Sequence, residues 1–197
     1  MMRRLIAYLL LIVTILMTLS ACEIPGTGLP DDGPPIPVTE EAATSFQQKI
    51  QVAGQEAQAT GSTTVSITQE EITSFLTLRQ DMLEAQAGEQ SGTQFEFPLI
   101  EPQVYFKDDG NIVVRGRIEY EGVNQPIRIV AQPTALNGTL EVNVTEGRIG
   151  PVPVPGVILD QVDNAVTQAI LAGQDYGQIT NLQVSGGTLT FSGQRTQ

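Results

Sequence analysis

Histidine is absent from this chain of 197 residues, cysteine occurs once, at Cys22, and lysine twice, at Lys49 and Lys107. The first absence removes the usual general base near pH 7 and the commonest metal ligand. One cysteine cannot form a structural disulfide within the chain. Neither lysine stands in a Ser-x-x-Lys pattern, and no Gly-x-Ser-x-Gly elbow or phosphate loop occurs. Paired acids do occur, at Glu70-Glu71 and Asp108-Asp109. The first pair reads as the opening turn of a helix, where the dipole favours acids. The second, in DDGN, reads as a turn. No nucleophile–base pair remains, so the expectation is a non-enzyme without cofactor or metal.

The N-terminus is organised differently from the rest. Arg3 and Arg4 precede Leu5 to Leu19, a run with no charge. That length suits the apolar region of a signal peptide and is short for a membrane-spanning helix of ~20 apolar residues. It ends in Leu19-Ser20-Ala21-Cys22, which resembles the bacterial lipobox. The resemblance implies a leader over residues 1–21, lipidation of Cys22 and an extracytoplasmic domain held to the cell membrane. The ten Lys and Arg include Arg3 and Arg4, so eight stand against 22 acids from Cys22 onward, a net charge of −14. Such a chain does not bind nucleic acid by neutralising phosphates. Anionic lipids repel it, so its expected membrane partner is reached through the anchor.

Residues 23–38, EIPGTGLPDDGPPIPV, hold five prolines and three glycines. This composition reads as an extended, mobile stalk, with the lipidated cysteine and stalk together spanning 22–38. A helix is expected next, over 39–61, capped by Thr39 and peripheral, with Phe46, Ile50, Ala53 and Ala57 as a thin stripe.

Residues 62–197 are expected to form one α+β domain. Thr63 to Ile67 reads as a short strand. Thr68-Gln69-Glu70-Glu71 is a capping box. Ile72, Phe75, Leu76, Met82 and Leu83 follow at helical spacing, with the helix running to about Ala87 and stopping at Gly88. The period then changes to two. Ile112, Val114, Gly116 and Ile118 alternate with Val113, Arg115, Arg117 and Glu119. Ile127, Ile129 and Ala131 alternate with Arg128, Val130 and Gln132, and Pro133 ends that strand. Leu140, Val142 and Val144 alternate with Glu141, Asn143 and Thr145. Turn residues separate the runs, so an antiparallel meander is predicted through residues 103–145. A helix after Pro155 carries Ile158, Leu159, Val162, Ala165 and Val166, and a hairpin around Gly186-Gly187 closes the chain. The expected architecture is one curved antiparallel sheet with two or three amphipathic helices on its apolar face and the other face wet.

The segments Ile67-Thr-Gln-Glu-Glu-Ile-Thr-Ser-Phe-Leu76, Leu136-Asn-Gly-Thr-Leu-Glu-Val142, Gly147-Arg-Ile-Gly150 and Val152-Pro-Val-Pro155 resemble the YpmS-like envelope proteins. They are more loosely similar to the YceB-like lipoproteins and LmeA-like lipid binders. Those groups resemble tubular lipid-binding (TULIP) domains, in which a curved sheet wraps a helix around an apolar groove. The resemblance spans about residues 62–193 and implies a lipid or another apolar ligand. A groove of that kind is lined by aliphatic side chains. The candidates are Ile72, Phe75, Leu76, Val114, Ile118, Ile129, Val142, Val144, Val162 and Val166. The alternative is a filled core in a structural or protein-interaction module.

Overall fold

A computed structural model describes residues 30–79, 99–120, 122–136, 138–154, 156, 159 and 178–194. The fold class is α+β. In chain order the elements are helix α1 (Glu40–Thr60), strand β1 (Ser62–Thr68), helix α2 (Gln69–Leu78), strands β2 (Ile100–Phe106), β3 (Ile112–Tyr120), β4 (Val123–Leu136), β5 (Thr139–Ile149) and β6 (Val152–Pro153), and the hairpin β7 (Gln178–Ser185) and β8 (Thr188–Gln194). The strands form two antiparallel sheets rather than one: β2-β3-β4-β5-β6 is the expected meander, and β1-β8-β7 is a smaller sheet. They approach where Ile179 N–H donates to Gly138 O at 2.8 Å.

Both helix starts follow from local chemistry. Thr39 is extended and its hydroxyl accepts from Ala42 N–H at 3.1 Å. Thr68 accepts from Glu71 N–H at 3.2 Å while Glu71 Oε2 accepts from Thr68 N–H at 2.9 Å, completing the capping box. The end of α2 differs from expectation. The helix stops at Leu78, and Arg79 has φ −124°, outside the helical range. Arg79 instead pairs with Glu40 at 2.7 Å, tying the end of α2 to the start of α1. Residues 80–98, which include Met82, Leu83, Ala87 and Gly88, lie outside the described residues.

The turns are as the composition demands. Lys107 N–H donates to Asn111 O at 2.9 Å, Gly110 takes φ +87°, and Asp109 accepts from Asn111 N–H at 3.0 Å. Pro133 does not end β4, which continues to Leu136 in register with β5. The reason is positional. β3 pairs with β4 only as far as Ala131, so Pro133 sits where β4 has a single neighbour and a missing N–H is tolerated.

The core lies between the sheets. Val104, Phe106 and Val184 are buried, with Ile72 and Leu76 of α2 and Leu189 of β8 packed on them. Two buried hydroxyls lock α2 in place. Thr73 accepts from Val104 N–H at 3.0 Å, and Ser74 accepts from Thr39 N–H at 3.1 Å. Helix α1 contributes Ala53 and Phe46 to a second cluster with Val65 and Ile67 of β1. Its buried face is made mainly of small residues, Ala42, Ala43, Ala53 and Ala57, whereas Ile50 is exposed. Alanines bring α1 close against α2 and β1, so the helix is an integral layer rather than a peripheral one.

The face of the meander expected to be wet is occupied. Ile36 is buried against Tyr105, Val113 and Val130, three side chains on that face. Residues 30–38 therefore form an extended strap across the sheet. This corrects the mobile stalk for that part of the segment; residues 23–29 lie outside the described residues.

Candidate functional site

The two faces of the meander carry the candidate chemistry, and strand register sets which residues share each face. Val114 pairs with Ile129, which pairs with Gly147; Ile112 pairs with Ala131, which pairs with Val144; Pro133 pairs with Val142. This aliphatic band runs across three strands. At its β2–β3 end, Val114 packs into the core with Ile72 and Leu76. Ile118 is buried, and Ile129, Val142 and Val144 are half-buried. Phe75 packs on Phe46, with ring centroids 4.5 Å apart, and so belongs to the joint between the helices. The structure thus brings Ile72, Leu76, Val114, Ile129, Val142 and Val144 to one side of the sheet. Phase alone made this legible. Val162 and Val166 lie outside the described residues.

Two glycines on that face seat leucines. A Cβ on Gly116 would stand 2.7 Å from Leu99 Cδ1, and one on Gly147 would stand 2.5 Å from Leu159 Cδ2. Real Cβ contacts do not reach so close, so glycine at these positions makes room for the leucines. Two open concavities lined mainly by polar residues lie away from this band. One, of about 600 Å³, is lined by Glu56, Thr60, Ser62, Thr64, Ser192 and Gln194 among others; a second, of about 380 Å³, lies over Glu40, Glu41 and Ser45 on α1.

The opposite face holds an ionic cluster that sequence reading did not find. Gln103 pairs with Arg115, Arg115 with Arg128 and Arg128 with Arg148, so three arginines stand side by side across β3, β4 and β5. Asp32 of the strap meets this row. Arg128 Nε donates to Asp32 Oδ2 at 2.8 Å and Arg128 Nη2 to Oδ1 at 2.9 Å. Arg128 Nη1 donates to Glu146 at 2.9 Å. Arg115 Nε and Lys107 Nζ each stand 3.8 Å from the Asp32 carboxylate. Lys107 Nζ also donates to Asp32 O at 2.5 Å. The Gln103 amide clamps the strap backbone, with Oε1 accepting from Ile36 N–H at 2.6 Å and Nε2 donating to Ile36 O at 3.4 Å.

These contacts set the charge states. Burial pushes the Asp32 carboxyl up, but the Arg128 hydrogen bonds and the charges of Arg128, Lys107 and Arg115 outweigh it, leaving the pKa below its ordinary value. Asp32 hydrogen bonding raises Arg128 further. Glu71 follows the same pattern. Burial raises it, while Ser45, Thr68 N–H and Lys49 lower it to a net depression. Tyr105, beneath the strap, is raised chiefly by burial.

The paired acids have structural partners. Asp108 Oδ1 accepts from Gly186 N–H at 2.8 Å, joining the tips of two hairpins. Glu71 is held by Ser45 at 2.5 Å and Lys49 at 2.9 Å. No family model matches the chain, and no curated protein or solved structure matches it.

Proposed function

We propose that this chain is an extracytoplasmic lipoprotein, anchored to a bacterial cell membrane through an acylated Cys22, whose domain takes lipid or another apolar ligand on the inner face of the meander. The observation that carries the ligand half is the aliphatic band of Val114, Ile129, Val144 and Val142, which leaves its β4–β5 end half-buried. The anchor half rests on the lipobox resemblance, and the YpmS-like and TULIP-like resemblance supports the choice of ligand. Burial of roughly 300 Å² of an acyl chain at ~25 cal/mol per Å² gives about 7 kcal/mol gross, reduced by association entropy to modest affinity.

The test is direct. The purified chain is expected to carry lipid detectable by mass spectrometry and to take up a fluorescent fatty acid at micromolar concentration. Val142→Glu, with circular dichroism confirming the fold, is expected to abolish uptake. A chain that carries no lipid and takes up none overturns this reading.

A second reading, a non-enzymatic interaction module of the envelope, has its own support. Leu99 on Gly116 and Leu159 on Gly147 fill part of the same face with the chain's own side chains. Absence of lipid together with stable capture of one envelope protein would favour it.

A further inference from the structure

We propose that the arginine face under the strap is a binding site for a phosphate anion, that Asp32 holds it shut, and that the phosphate is that of an anionic lipid headgroup. The inference rests on the membrane anchoring proposed above, which holds this locally basic face at the bilayer against the repulsion that the net charge of −14 creates.

Charge distribution is the first argument. Of the eight Lys and Arg from Cys22 onward, five — Lys107, Arg115, Arg117, Arg128 and Arg148 — lie in or beside the meander. Arg115, Arg128 and Arg148 are register partners on consecutive strands. Like charges opposite one another destabilise a sheet, so this row requires an anion. Glu146 of the sheet serves only Nη1 of Arg128. The remaining demand is met from outside the sheet, by Asp32 of the strap.

Geometry is the second. The two oxygens of Asp32 meet the guanidinium fork of Arg128 in parallel, the arrangement arginine also makes with phosphate. Asp32 aims both oxygens at Arg128, and Arg115 Nε and Lys107 Nζ stand off from the carboxylate at 3.8 Å. A phosphate, with more oxygens and more charge, would engage Arg128, Arg115 and Lys107 together. Asp32 is thus an incomplete internal substitute for the larger anion.

Proximity is the third. Pro30, where the described strap begins, follows Cys22 by eight positions. That length of chain reaches at most about 25 Å at ~3.1 Å per residue. Headgroup phosphates of the anchoring bilayer are therefore the densest phosphates within reach. Dilute phosphate competes poorly, because the tethered Asp32 acts at an effective concentration on the order of millimolar.

The experiment uses the full chain in zwitterionic detergent, modified with phenylglyoxal and read residue by residue by mass spectrometry. Arg128 is expected to be unreactive in the parent chain and reactive in Asp32→Asn/Ile36→Glu, reporting the lifted strap. Nanodiscs of phosphatidylglycerol are then expected to slow modification of Arg115 and Arg128 about ten-fold, as a charge-assisted bidentate contact would. Nanodiscs of a phosphate-free galactolipid should not. If inorganic phosphate protects and phosphatidylglycerol does not, the headgroup assignment is overturned and a free-anion site stands. If Arg128 reacts and neither protects it, the site is overturned. If Arg128 stays unreactive, Asp32 is not what closes the face. Should the double variant lose its circular dichroism, Asp32→Asn with Ile36 still seated carries the same comparison. Failure here with fatty-acid uptake intact removes the headgroup site and leaves the proposed function standing.

Discussion

Asp32 and Arg128, 96 residues apart in the chain, meet through two parallel hydrogen bonds of 2.8 and 2.9 Å with both side chains buried. The pair joins a proline-rich segment to the centre of a sheet. Removing one partner strands the other's charge out of water. Asp32→Ala is expected to cost about 3 kcal/mol in urea unfolding. Arg128→Lys keeps the charge but loses the fork, and is expected to cost about 1 kcal/mol.

Truncation gives a second check. Residues 30–38 bury Ile36 on Tyr105, Val113 and Val130. A chain beginning at Thr39 is therefore expected to be less stable than one beginning at Cys22 by more than about 2 kcal/mol. Ile36→Ala alone should show much of that loss. Equal midpoints and equal m-values for the two chains would mean that the strap does not pack in solution.

The capping box of α2 is a third. Thr68→Ala is expected to cost about 1 kcal/mol, the usual worth of such a cap. Glu71→Ala is expected to cost more, about 2 kcal/mol, because it also leaves Lys49 and Ser45 without their shared partner. Thermal melts of the two variants should rank in that order.

Acid should loosen the fold in a defined sense. Asp32 and Glu71 both lie below their ordinary values of 3.8 and 4.5 in the folded chain. The unfolded chain therefore binds protons first. The stability that the two ionised carboxylates contribute is fully present above those ordinary values and is lost as pH falls through the folded ones. The melting temperature should drop on acidification below pH ~4, and the drop should be shallower in Asp32→Asn.

Whatever was locally encoded was legible. The caps Thr39 and Thr68 and the turn at Lys107–Asn111 act over three or four residues, and each stands where the sequence placed it. Period-two alternation put Val114, Ile129 and Val144 on one face without any knowledge of the partner strands. The strap was not legible because its bonds are not local. Nothing near PDDGPPIP announces Arg128, and prolines suit an extended strap as well as a free stalk. A signal did exist on the other side. Arg115, Arg117, Arg128 and Arg148 lie on outward positions of a strongly acidic chain, and the register that lines up three of them appears only once the strands pair. Likewise, Pro133 reads as a strand end until β3 is seen to stop short of it.

The strap also has a mechanical meaning. It lies in series between the N-terminal segment and the fold, so a pull from that end loads Asp32 on Arg128 first, then Ile36 in its pocket, and then the Thr39–Ser74 hydrogen bond, before any force reaches α1. Rupture of this clasp would release nine residues, up to about 28 Å of slack at ~3.1 Å per residue, with both sheets still intact. The segment is placed to act as a fuse, yielding under tension so that the domain does not.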